Sequence, residues 1–333
     1  VADQLVKLIK EADHVVIMGH RMSDLDAIGS AEGVLRICKI CDVPAVIAVR
    51  RDATLAGSLI DALCKAGQRD DFIDPKDALP IISKRTLCIV VDTYQAGLVE
   101  SKEILEKCGR VAVIDHHRKG VGYIQNPDLV CHEPYSSSAS ELVTELLQYV
   151  GERDDKPNRV EAEGLLSGIM LDTRDFTLHT GVRTFEAAAA LRRYGAETER
   201  VRQLFDVTMV EYNAKAGLVE KAKMYRNCAI SIGGEVAAEA RVAIAQAAND
   251  LLTIQGVDAS FVAVQVGTGV NVSARSLGAV NVQVIMESLG GGGHQTMAAA
   301  QLKHITPEAA RSRIEGAIDK YYASQKKSGA EGK

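Results

Sequence analysis

The sequence predicts an α/β protein with a parallel sheet in its N-terminal domain, joined by helices to a smaller C-terminal α/β domain with a mixed sheet. In the first half of the chain, short runs rich in valine and isoleucine alternate with helical segments. Nearly continuous apolar runs are typical of parallel strands that helices cover on both faces. A second series of strands and helices follows a long helical stretch. With 333 residues, 47% of them hydrophobic, the chain is long enough to bury two cores.

The elements of the first domain follow from hydrophobic periodicity. Strands are predicted over residues 15–19, 45–49, 86–92 and 110–115, with helices near 26–39, 55–66 and 101–108 between them. Two more helices follow, one after the serines at 136–138 and one that leads toward Asp172. Ligands of parallel sheets bind beyond the carboxyl ends of the strands. We therefore expect the polar residues at these ends to lie along one edge of the sheet.

The second domain is predicted to follow two connecting helices, 184–194 and 198–222. It reads as a strand over 224–232, a helix over 241–254, strands over 259–266 and 270–275, and a helix over 281–288. Four glycines, a short strand and a final helix from Pro307 complete it. The predicted boundaries are 1–182 for the first domain, 183–222 for the connector and 223–325 for the second domain, with a polar, disordered tail at 326–333.

Charge and hydropathy exclude several classes of protein. The formal net charge of -5 argues against a protein that coats long nucleic acid. No apolar run reaches the roughly 18 residues that a membrane helix requires, and the N-terminus lacks the pattern of a signal peptide. We expect a cytoplasmic location for the chain as given. Because the sequence starts at Val1 rather than Met, an anchor in a longer protein stays open.

The seven cysteines lie among apolar neighbours, which favours reduced thiols in the core over a disulfide framework. Cys38 and Cys41 form a C-x-x-C pattern, which zinc and redox sites also use. The pattern stands near the end of a predicted helix and has no second pair. Core packing is therefore the simpler interpretation.

Histidine and aspartate side chains stand at the ends of the predicted strands and helices, namely His20, Asp24, Asp26, Asp92, His116 and Asp172. Four carboxylates in one cleft would repel one another and resist ionisation unless cations compensated them. Oxygen donors with two imidazoles and no thiolate favour Mn²⁺, followed by iron, cobalt, zinc or magnesium. Six ligands exceed what one catalytic cation takes, so we expect two cations with a shared carboxylate.

Single members of this set have simpler explanations. Asp24 or Asp26 could cap the helix that follows, and Asp92 could also be a helix cap. The run Asp115-His116-His117 directly after an apolar strand is a stronger signal, because buried strands seldom end in three such groups. Surface or packing roles are predicted for the other histidines outside the glycine run, which are His14, His132, His179 and His304.

The second domain carries a candidate phosphate site. Consecutive glycines permit a close backbone approach, and their N–H groups can hold a phosphate. Arg275 could bind a phosphate through two hydrogen bonds, and His294 could contact phosphate or base. The alternative for Arg275 is an ordinary surface charge on a strand. The predicted substrate-binding residues are Arg275, Ser276, Gly291, Gly292, Gly293 and His294.

These motifs together resemble the DHH phosphoesterase superfamily. GHRMSDLDAIGSA at 19–31, VVDT at 90–93 and DHH at 115–117 resemble its catalytic domain. NVSARSLGAVNVQVIMESLGGGGH at 271–294 resembles its associated C-terminal domain. With EPYSSSASELVTE at 133–145 and LDTRDFTLHTGVRTFEAA at 171–188, the chain is most similar to the cyclic-di-AMP phosphodiesterases of the membrane-anchored, PAS-containing GdpP type.

The resemblance implies that two manganese ions divide the ligands. One ion would be bound by His20, Asp24 and Asp92. The second would be bound by Asp26, His116, Asp172 and the shared Asp92. Asp115 would orient His116, and His117 would face the phosphate. Asp115 and His117 are therefore the expected catalytic residues. Hydroxide formed from a water between the cations would attack phosphorus.

The implied activity is hydrolysis of cyclic-di-AMP to linear 5′-pApA by a homodimer, in the cytoplasmic part of a membrane-anchored protein. Two alternatives stay open: an oligoribonuclease or exonuclease that acts on short linear oligonucleotides, and a non-catalytic cyclic-dinucleotide sensor. The chain departs from the family pattern at Ser23, Tyr94, Gln295 and Met297. None of these is an expected metal ligand, so the departures concern substrate contacts.

Overall fold

The computed structural model describes residues 1–118, 122–152, 155–235 and 242–330. By backbone contacts the chain divides into two compact units, Val1–Asp206 and Val207–Lys333. The division falls within the segment predicted to connect the two domains. In the described residues, no helix combines the length and apolarity needed to cross a membrane.

The N-terminal unit alternates strands and helices. Its strands are β1 (His14–Met18), β2 (Ala45–Ala48), β3 (Phe72–Ile73), β4 (Thr86–Val91), β5 (Arg110–Asp115) and β6 (Leu129–His132). Its helices are α1 (Ala2–Glu11), α2 (Leu25–Ile40), α3 (Gly57–Leu63), α4 (Pro75–Ala78), α5 (Lys102–Lys107), α6 (Ala139–Gln148), α7 (Arg159–Thr173), α8 (Val182–Arg193) and α9 (Thr198–Gln203).

The strands of the N-terminal unit form one parallel sheet in the order β3-β2-β1-β4-β5-β6. The parallel sheet predicted from the sequence is therefore confirmed. From β1 the chain builds the sheet toward β3, and from β4 it builds in the opposite direction. The strand order thus reverses between β1 and β4, where parallel sheets open a crevice at the carboxyl ends of the strands.

Both faces of this sheet are buried, which explains its continuous apolar strands. In β1, Val15 and Ile17 pack into a core that α2, α3, α6 and α7 share. The alternate residues Val16 and Met18 pack into a second core on the other face. Because all four side chains are fully buried, β1 sits in the centre of the unit and fixes the position of the residues that follow it.

Capping residues set where the helices near the crevice begin. Ser138 accepts a hydrogen bond from the N–H of Glu141 at the start of α6 (3.0 Å). Asn158 begins α7 in a capping box with Glu161, in which each side chain accepts a hydrogen bond from the other residue's N–H. Caps of this kind stabilise a helix by about 1 kcal/mol.

The C-terminal unit contains a mixed sheet and four helices in its described residues. The strands are β7 (Lys223–Tyr225), β8 (Cys228–Glu235), β9 (Ala259–Val266), β10 (Gly269–Ser276), β11 (Gly292–Gly293) and β12 (Met297–Lys303). The helices are α10 (Met209–Glu220), α11 (Val242–Leu251), α12 (Val282–Glu287) and α13 (Pro307–Ala330). The strand order is β11-β12-β10-β9-β8-β7, with β8 and β9 parallel and the other pairs antiparallel. The predicted mixed sheet is confirmed.

Several element predictions need correction. The strand predicted over 224–232 is a hairpin, because Arg226 turns the chain with a φ of 53° between β7 and β8. The helix predicted over 198–222 is two helices, since Thr208 starts α10 with a capping box. Strands β3 and β6 and helix α1 were not predicted. The tail predicted to be disordered from residue 326 instead continues α13 as far as Ala330. The start of the helix predicted at 241 and the end of the predicted tail, 331–333, lie outside the described residues.

The seven cysteines all carry free thiols, as the sequence predicts. Cys38 is fully buried in the last turns of α2 and belongs to the larger core, whereas Cys41 follows the helix and packs against that core. Core packing accounts for the C-x-x-C pattern.

Candidate metal centre

Three neighbouring strands end at the crevice with a histidine or an aspartate. His20 lies two residues after β1, Asp92 directly after β4 and His116 directly after β5. The carboxylate of Asp92 lies between the imidazoles of His20 and His116. Its Oδ2 lies 3.4 Å from Nε2 of His20, and its Oδ1 lies 3.4 Å from Nε2 of His116. Asp92 is 3% exposed and adopts a left-handed φ of 58°, an uncommon conformation for a residue other than glycine.

Asp24 contributes both a helix cap and a carboxylate to this crevice. Its Oδ1 accepts hydrogen bonds from the N–H groups of Asp26 (3.0 Å) and Ala27 (3.1 Å), which begins α2. The same oxygen lies 3.8 Å from Nε2 of His20. The two interpretations that the sequence left open for Asp24 are therefore compatible.

Asp26 is fully buried on the first turn of α2 and is held by the start of α6. Its Oδ2 accepts a hydrogen bond from the N–H of Ala139 (2.7 Å), and its Oδ1 accepts one from the N–H of Ser140 (2.9 Å). Gly168 of α7 makes room for this carboxylate, because a Cβ there would lie 2.5 Å from Oδ1 of Asp26. Asp26 therefore caps α6 rather than its own helix.

Asp172 enters the crevice from the last turn of α7. Its Oδ2 lies 3.0 Å from Nε2 of His116, which in turn lies 3.9 Å from Oδ2 of Asp26. Burial and the charge of Asp92 raise the pKa of Asp172, and the contact with His116 opposes this rise. Burial, followed by the charges of Asp92 and Asp172, raises the pKa of Asp26 well above its usual value. The carboxylates thus repel one another in the absence of a cation.

The described side chains form three overlapping groups that could each hold a metal ion, of which Asp92, His116 and His117 make the third. In each group, one ligand atom per residue lies within 4.8 Å of every other. The first group consists of His20, Asp24 and Asp92. The second group consists of Asp26, Asp92, His116 and Asp172. The first and second groups are the two sets that the family resemblance implies, with Asp92 in both.

The distances between the ligand atoms are closer to those expected around a bound cation than to a network of hydrogen bonds. Oδ1 of Asp92 and Nε2 of His116 are both buried, yet neither has a hydrogen-bond partner in the described part of the chain. Ligands about 2.1 Å from one octahedral cation lie roughly 3 Å apart, close to the 3.4 Å between these two atoms. The residues present therefore fit divalent cations.

Protons compete for the same site. Burial disfavours the charged imidazole of His20, but Asp24 and Asp92 outweigh it and raise the pKa of His20 to about 10. Burial is likewise outweighed at His116, where Asp172 and Asp92 raise the pKa to about 12. At Asp92, burial opposes ionisation, while His116 and His20 hold its pKa below the usual range. Cations that bind here must displace protons from both imidazoles.

Asp115 and His117 form a pair beside the first two groups, and Nδ1 of His117 also lies 3.7 Å from Oδ1 of Asp92. Oδ1 of Asp115 lies 2.8 Å from Nδ1 of His117 and also accepts a hydrogen bond from the N–H of His117 (3.2 Å). The family resemblance implies that Asp115 orients His116, whereas the structure places Asp115 against His117. The imidazole of His117 is 55% exposed, so a ligand in the crevice can reach it.

In the C-terminal unit, Arg275 and Ser276 occupy the end of β10. Nη1 of Arg275 donates hydrogen bonds to Oγ of Ser273 (3.1 Å) and to the carbonyl of Ala274 (2.9 Å). The hydroxyl of Ser276 is buried, donates to the carbonyl of Val280 (2.5 Å) and accepts from the N–H of Gly278 (2.9 Å). Ser276 thus has a structural role in the turn after β10.

The glycine run has a packing explanation of its own. Strand β11 pairs with β12, and a Cβ on Gly291 would collide with the carbonyl oxygen of Ala299. A side chain on Gly293 would meet the backbone of Met297 and Ala298. His294 is exposed, and its N–H donates to the carbonyl of Met297 (2.6 Å). Close pairing of β11 with β12 therefore requires glycine at two positions.

Family comparisons agree with this architecture. The model of the DHH family N-terminal domain matches residues 14–169, and the model of the DHHA1 domain matches residues 235–323. The chain thus contains a DHH-family N-terminal domain and a DHHA1 domain. The first match ends within α7, the helix that carries Asp172, and the second covers β9 to β12.

Two curated relatives of this chain match nearly its whole length. The cyclic-di-AMP phosphodiesterase GdpP of Geobacillus thermodenitrificans is 45% identical over 98% of the chain and 50% of the relative. The cyclic-di-AMP phosphodiesterase PdeA of Listeria monocytogenes is 39% identical over 98% of the chain and 50% of the relative. The chain thus spans about half the length of these relatives.

A solved structure shows the same fold. An exopolyphosphatase-related protein from Bacteroides fragilis superposes with a TM-score of 0.82, at 21% identity, over 98% of the chain and 97% of that protein. This likeness extends over both units of the chain.

The departure from the DHH-family pattern at Tyr94 has a structural counterpart. The Tyr94 ring is 5% exposed, and its centroid lies 5.8 Å from that of Tyr123 and 5.6 Å from that of His132. His132 in turn contacts the backbone of His117, with Nε2 lying 2.5 Å from the carbonyl oxygen. These aromatic residues support the segment that carries His117.

His132 contacts the segment of the site that carries His117, and the sequence does not predict this contact. His132 was assigned a surface or packing role because strand β6 was not predicted. In the structure β6 pairs with β5, and His132 lies directly opposite Asp115. Recognising the short apolar run Leu129–His132 as a strand would have placed His132 at the same sheet edge as the DHH residues.

Proposed function

We propose that this chain is a manganese-dependent phosphodiesterase that hydrolyses cyclic-di-AMP to linear 5′-pApA. The observation that carries the proposal is the first and second ligand groups, which share Asp92. The names of the two curated relatives, both cyclic-di-AMP phosphodiesterases, support the choice of substrate. The exposed imidazole of His117 beside these groups supports a reaction at a phosphate.

The cations would occupy the first two groups, with Mn²⁺ the first choice for oxygen donors mixed with imidazole. His20 and Asp24 would bind only the first cation, and Asp92 would bind both. The second cation would also be bound by Asp26, His116 and Asp172. When bound, the cations supply Lewis acidity, which lowers the pKa of water toward neutrality and offsets the charge that develops on the phosphate.

The protein positions the ligands before any cation binds. Two N–H groups at the start of α6 fix both oxygens of Asp26. Strands β1, β4 and β5 fix the residues at their ends, because hydrophobic cores on both faces of the sheet hold these strands in place. Preorganised ligands lose little conformational freedom on binding, so the site favours cations without rearrangement of the backbone.

His117 would hold a proton that faces the substrate. Burial disfavours its charged form, but the hydrogen bond from Nδ1 to Asp115 raises the pKa of His117 above its usual value. With Nδ1–H donated to Asp115, Nε2–H of the protonated ring is free to donate to a phosphate oxygen. Donation of this kind stabilises charge in the transition state.

The C-terminal unit would bind nucleotide. The guanidinium of Arg275 and the exposed imidazole of His294 are the candidate phosphate contacts, with the N–H groups of Gly292 and Gly293. Gly291 is a poorer candidate, because its N–H already donates to the carbonyl of Met286 (2.9 Å). Ser276 has weaker support, because its hydroxyl already makes two hydrogen bonds inside the turn. A homodimer in the cytoplasm, attached to a membrane through another part of a longer protein, is part of the same proposal and depends on the family resemblance.

Turnover of defined substrates tests the proposal. With Mn²⁺ present, the purified chain should convert cyclic-di-AMP to 5′-pApA, and it should do so faster than it degrades pApA or single strands of increasing length. Faster cleavage of linear strands would favour the oligoribonuclease alternative. Tight binding of cyclic-di-AMP without turnover would favour a sensor. The exposed acid Glu106 of α5 provides a control, since Glu106→Ala should leave activity unchanged.

A further inference from the structure

A cavity of about 460 Å³ lies on one face of the C-terminal sheet. Helix α11, strands β10 and β12, and Gly291 just before β11 supply its walls. Six of its lining residues are Ile244, Ala245, Asn271, Ser273, Ala299 and Gln301. None of the described lining residues is charged, so the cavity itself suits a neutral ligand rather than a phosphate.

The alternation of β10 separates this face from the hydrophobic core. Val270, Val272 and Ala274 are buried in the core that α12 and α13 share, which places Asn271 and Ser273 on the opposite face. On that face α11 covers the neighbouring strand β9 but stops short of β12, whose alternate residues are exposed. The result is a partly apolar recess with α11 as its side wall.

Two amides stand opposite each other in this recess. Asn271 of β10 pairs directly with Gln301 of β12 in the antiparallel register, which brings the Cβ atoms of such pairs to about 5 Å. Oδ1 of Asn271 is buried and has no hydrogen-bond donor in the part of the chain that the structure describes. A buried acceptor of this kind costs free energy until a ligand or water supplies a donor.

The cavity adjoins the arginine expected to bind phosphate. Ser273 lines the cavity, and its Oγ accepts the hydrogen bond from Nη1 of Arg275. The guanidinium therefore lies at the rim of an uncharged recess. A nucleotide has the matching arrangement, with a flat neutral base linked to a phosphate.

We propose that this cavity binds the adenine base of the dinucleotide, and that Asn271 and Gln301 select adenine over guanine. The proposal rests on the function proposed above. Adenine offers an amino donor beside a ring-nitrogen acceptor, which matches the acceptor and donor of an amide. Guanine offers two acceptors at the corresponding edge and pairs with arginine or lysine, which the described lining does not contain. Apolar contact from Ile244 and Ala299 would hold the faces of the ring.

The test compares substrates with and without the base. Asn271→Ala should lower kcat/KM for cyclic-di-AMP by about 5- to 150-fold, the range for one lost amide–adenine pair. The preference for cyclic-di-AMP over cyclic-di-GMP should fall with it. Hydrolysis of bis(4-nitrophenyl) phosphate, which has no base, should stay within about twofold of the wild type. Gln301→Ala should act in the same direction.

Gln283→Ala is the matched control, because that amide contacts only Glu287 on α12 among its side-chain partners in the described residues. If both Asn271→Ala and Gln301→Ala fold normally and keep full kcat/KM on cyclic-di-AMP, the cavity assignment is overturned. Equal losses on all three substrates would also overturn it, since they indicate general damage to the fold.

Direct titration separates this proposal from the proposed activity. If the wild type cleaves no phosphodiester, the activity proposal fails, and calorimetry with AMP and GMP still decides the cavity. Tighter binding of AMP than GMP by the wild type, lost in Asn271→Ala, supports the assignment. Equal binding of the two nucleotides contradicts it.

Discussion

The N-terminal unit buries two groups of acids, and an arginine of the protein compensates only one of them. The candidate metal centre comprises His20, Asp24, Asp26, Asp92, His116 and Asp172 at the edge of the sheet. The inner acid cluster comprises Glu32, Arg36, Gln68 and Glu161, between α2 and α7. Asp26 and Glu32 stand on the same helix, six residues apart, and both are fully buried.

The inner acid cluster is compensated by the protein itself. Arg36 forms a salt bridge with Glu161, and its Nε donates to Oε2 of Glu161 (2.8 Å). Nε2 of Gln68 donates to Glu32 (2.5 Å) and to Glu161 (3.0 Å). Burial, followed by the charge of Glu161, raises the pKa of Glu32 to about 8, so this carboxyl group stays neutral at pH 7.

The candidate metal centre has no such compensation. Among the described residues, its carboxylates face imidazoles whose nitrogen atoms are themselves potential metal ligands, and no arginine or lysine pairs with them. Buried acids alone therefore do not indicate a metal site. The donor set, and the presence or absence of a permanent cation, separates a structural acid cluster from a metal site.

The largest predicted effect sharpens this contrast at the shared ligand. Asp92→Ala should lower turnover of cyclic-di-AMP by about a thousandfold or more, because it removes a ligand from both cations. Asp24→Ala removes a ligand from one cation only and should cost less activity, with about 1 kcal/mol of stability from the lost helix cap. Equal manganese content in the wild type and Asp92→Ala by elemental analysis would contradict the assignment.

The inner acid cluster predicts a pH dependence of stability instead of activity. Below pH 4.5, Glu32 is protonated in both the folded and the unfolded chain. As the pH rises toward 8, the unfolded chain releases this proton while the folded chain retains it, so the wild type loses stability. Glu32→Gln should therefore gain about 2 to 4 kcal/mol over the wild type between pH 5 and pH 8. Urea unfolding at both pH values measures the difference.

The control for this prediction is Glu161→Gln, which weakens the salt bridge to Arg36. This substitution should destabilise the protein at both pH values, because Arg36 loses its charged partner at either pH. A difference between Glu32→Gln and the wild type that does not change with pH would show that Glu32 titrates normally in the folded state.

A smaller effect on activity is expected at Gly168, where α7 leaves space for the carboxylate of Asp26. Gly168→Ala would push a Cβ against the carboxylate of Asp26, and should lower Mn²⁺ affinity by about 10- to 100-fold and stability by about 1 to 3 kcal/mol. Gly316→Ala on α13 is the control, since open space surrounds that position and alanine favours a helix. Unchanged Mn²⁺ affinity in Gly168→Ala would show that the carboxylate position is not critical.

The smallest effect concerns Asp115. Asp115→Asn should lower kcat by about tenfold, because the amide keeps a hydrogen bond to His117 but no longer raises its pKa. The protonated form of His117 would then be lost at a lower pH. The alkaline limb of the pH profile should move to lower pH, and a profile unchanged in shape would argue against a protonated His117.

Much of the metal centre could be predicted from sequence, because the carboxyl ends of parallel strands lie together at one edge of the sheet. His20, Asp92 and His116 each follow an apolar strand, so their convergence depends only on strand order. Asp172 stands on a helix, and only the family resemblance assigned it to the second cation, with His116. The contact of Asp115 with His117 depends on a local turn that no pattern in the sequence specifies.

The C-terminal unit was harder to predict for a physical reason. Its sheet is mixed, so strand ends do not collect at one edge, and residues become neighbours through cross-strand register. Asn271 and Gln301 are 30 residues apart and meet only because β10 and β12 pair antiparallel. The glycine run indicated a phosphate site, although packing of Gly291 against Ala299 explains part of it.

Anomalous diffraction from crystals grown with Mn²⁺ shows whether two cations share Asp92. We expect two peaks per chain, roughly 3.5 to 4 Å apart. One should contact His20 and Asp24, the other Asp26, His116 and Asp172, and both should contact Asp92. A single peak, or two peaks of which only one contacts Asp92, would contradict the shared-ligand arrangement.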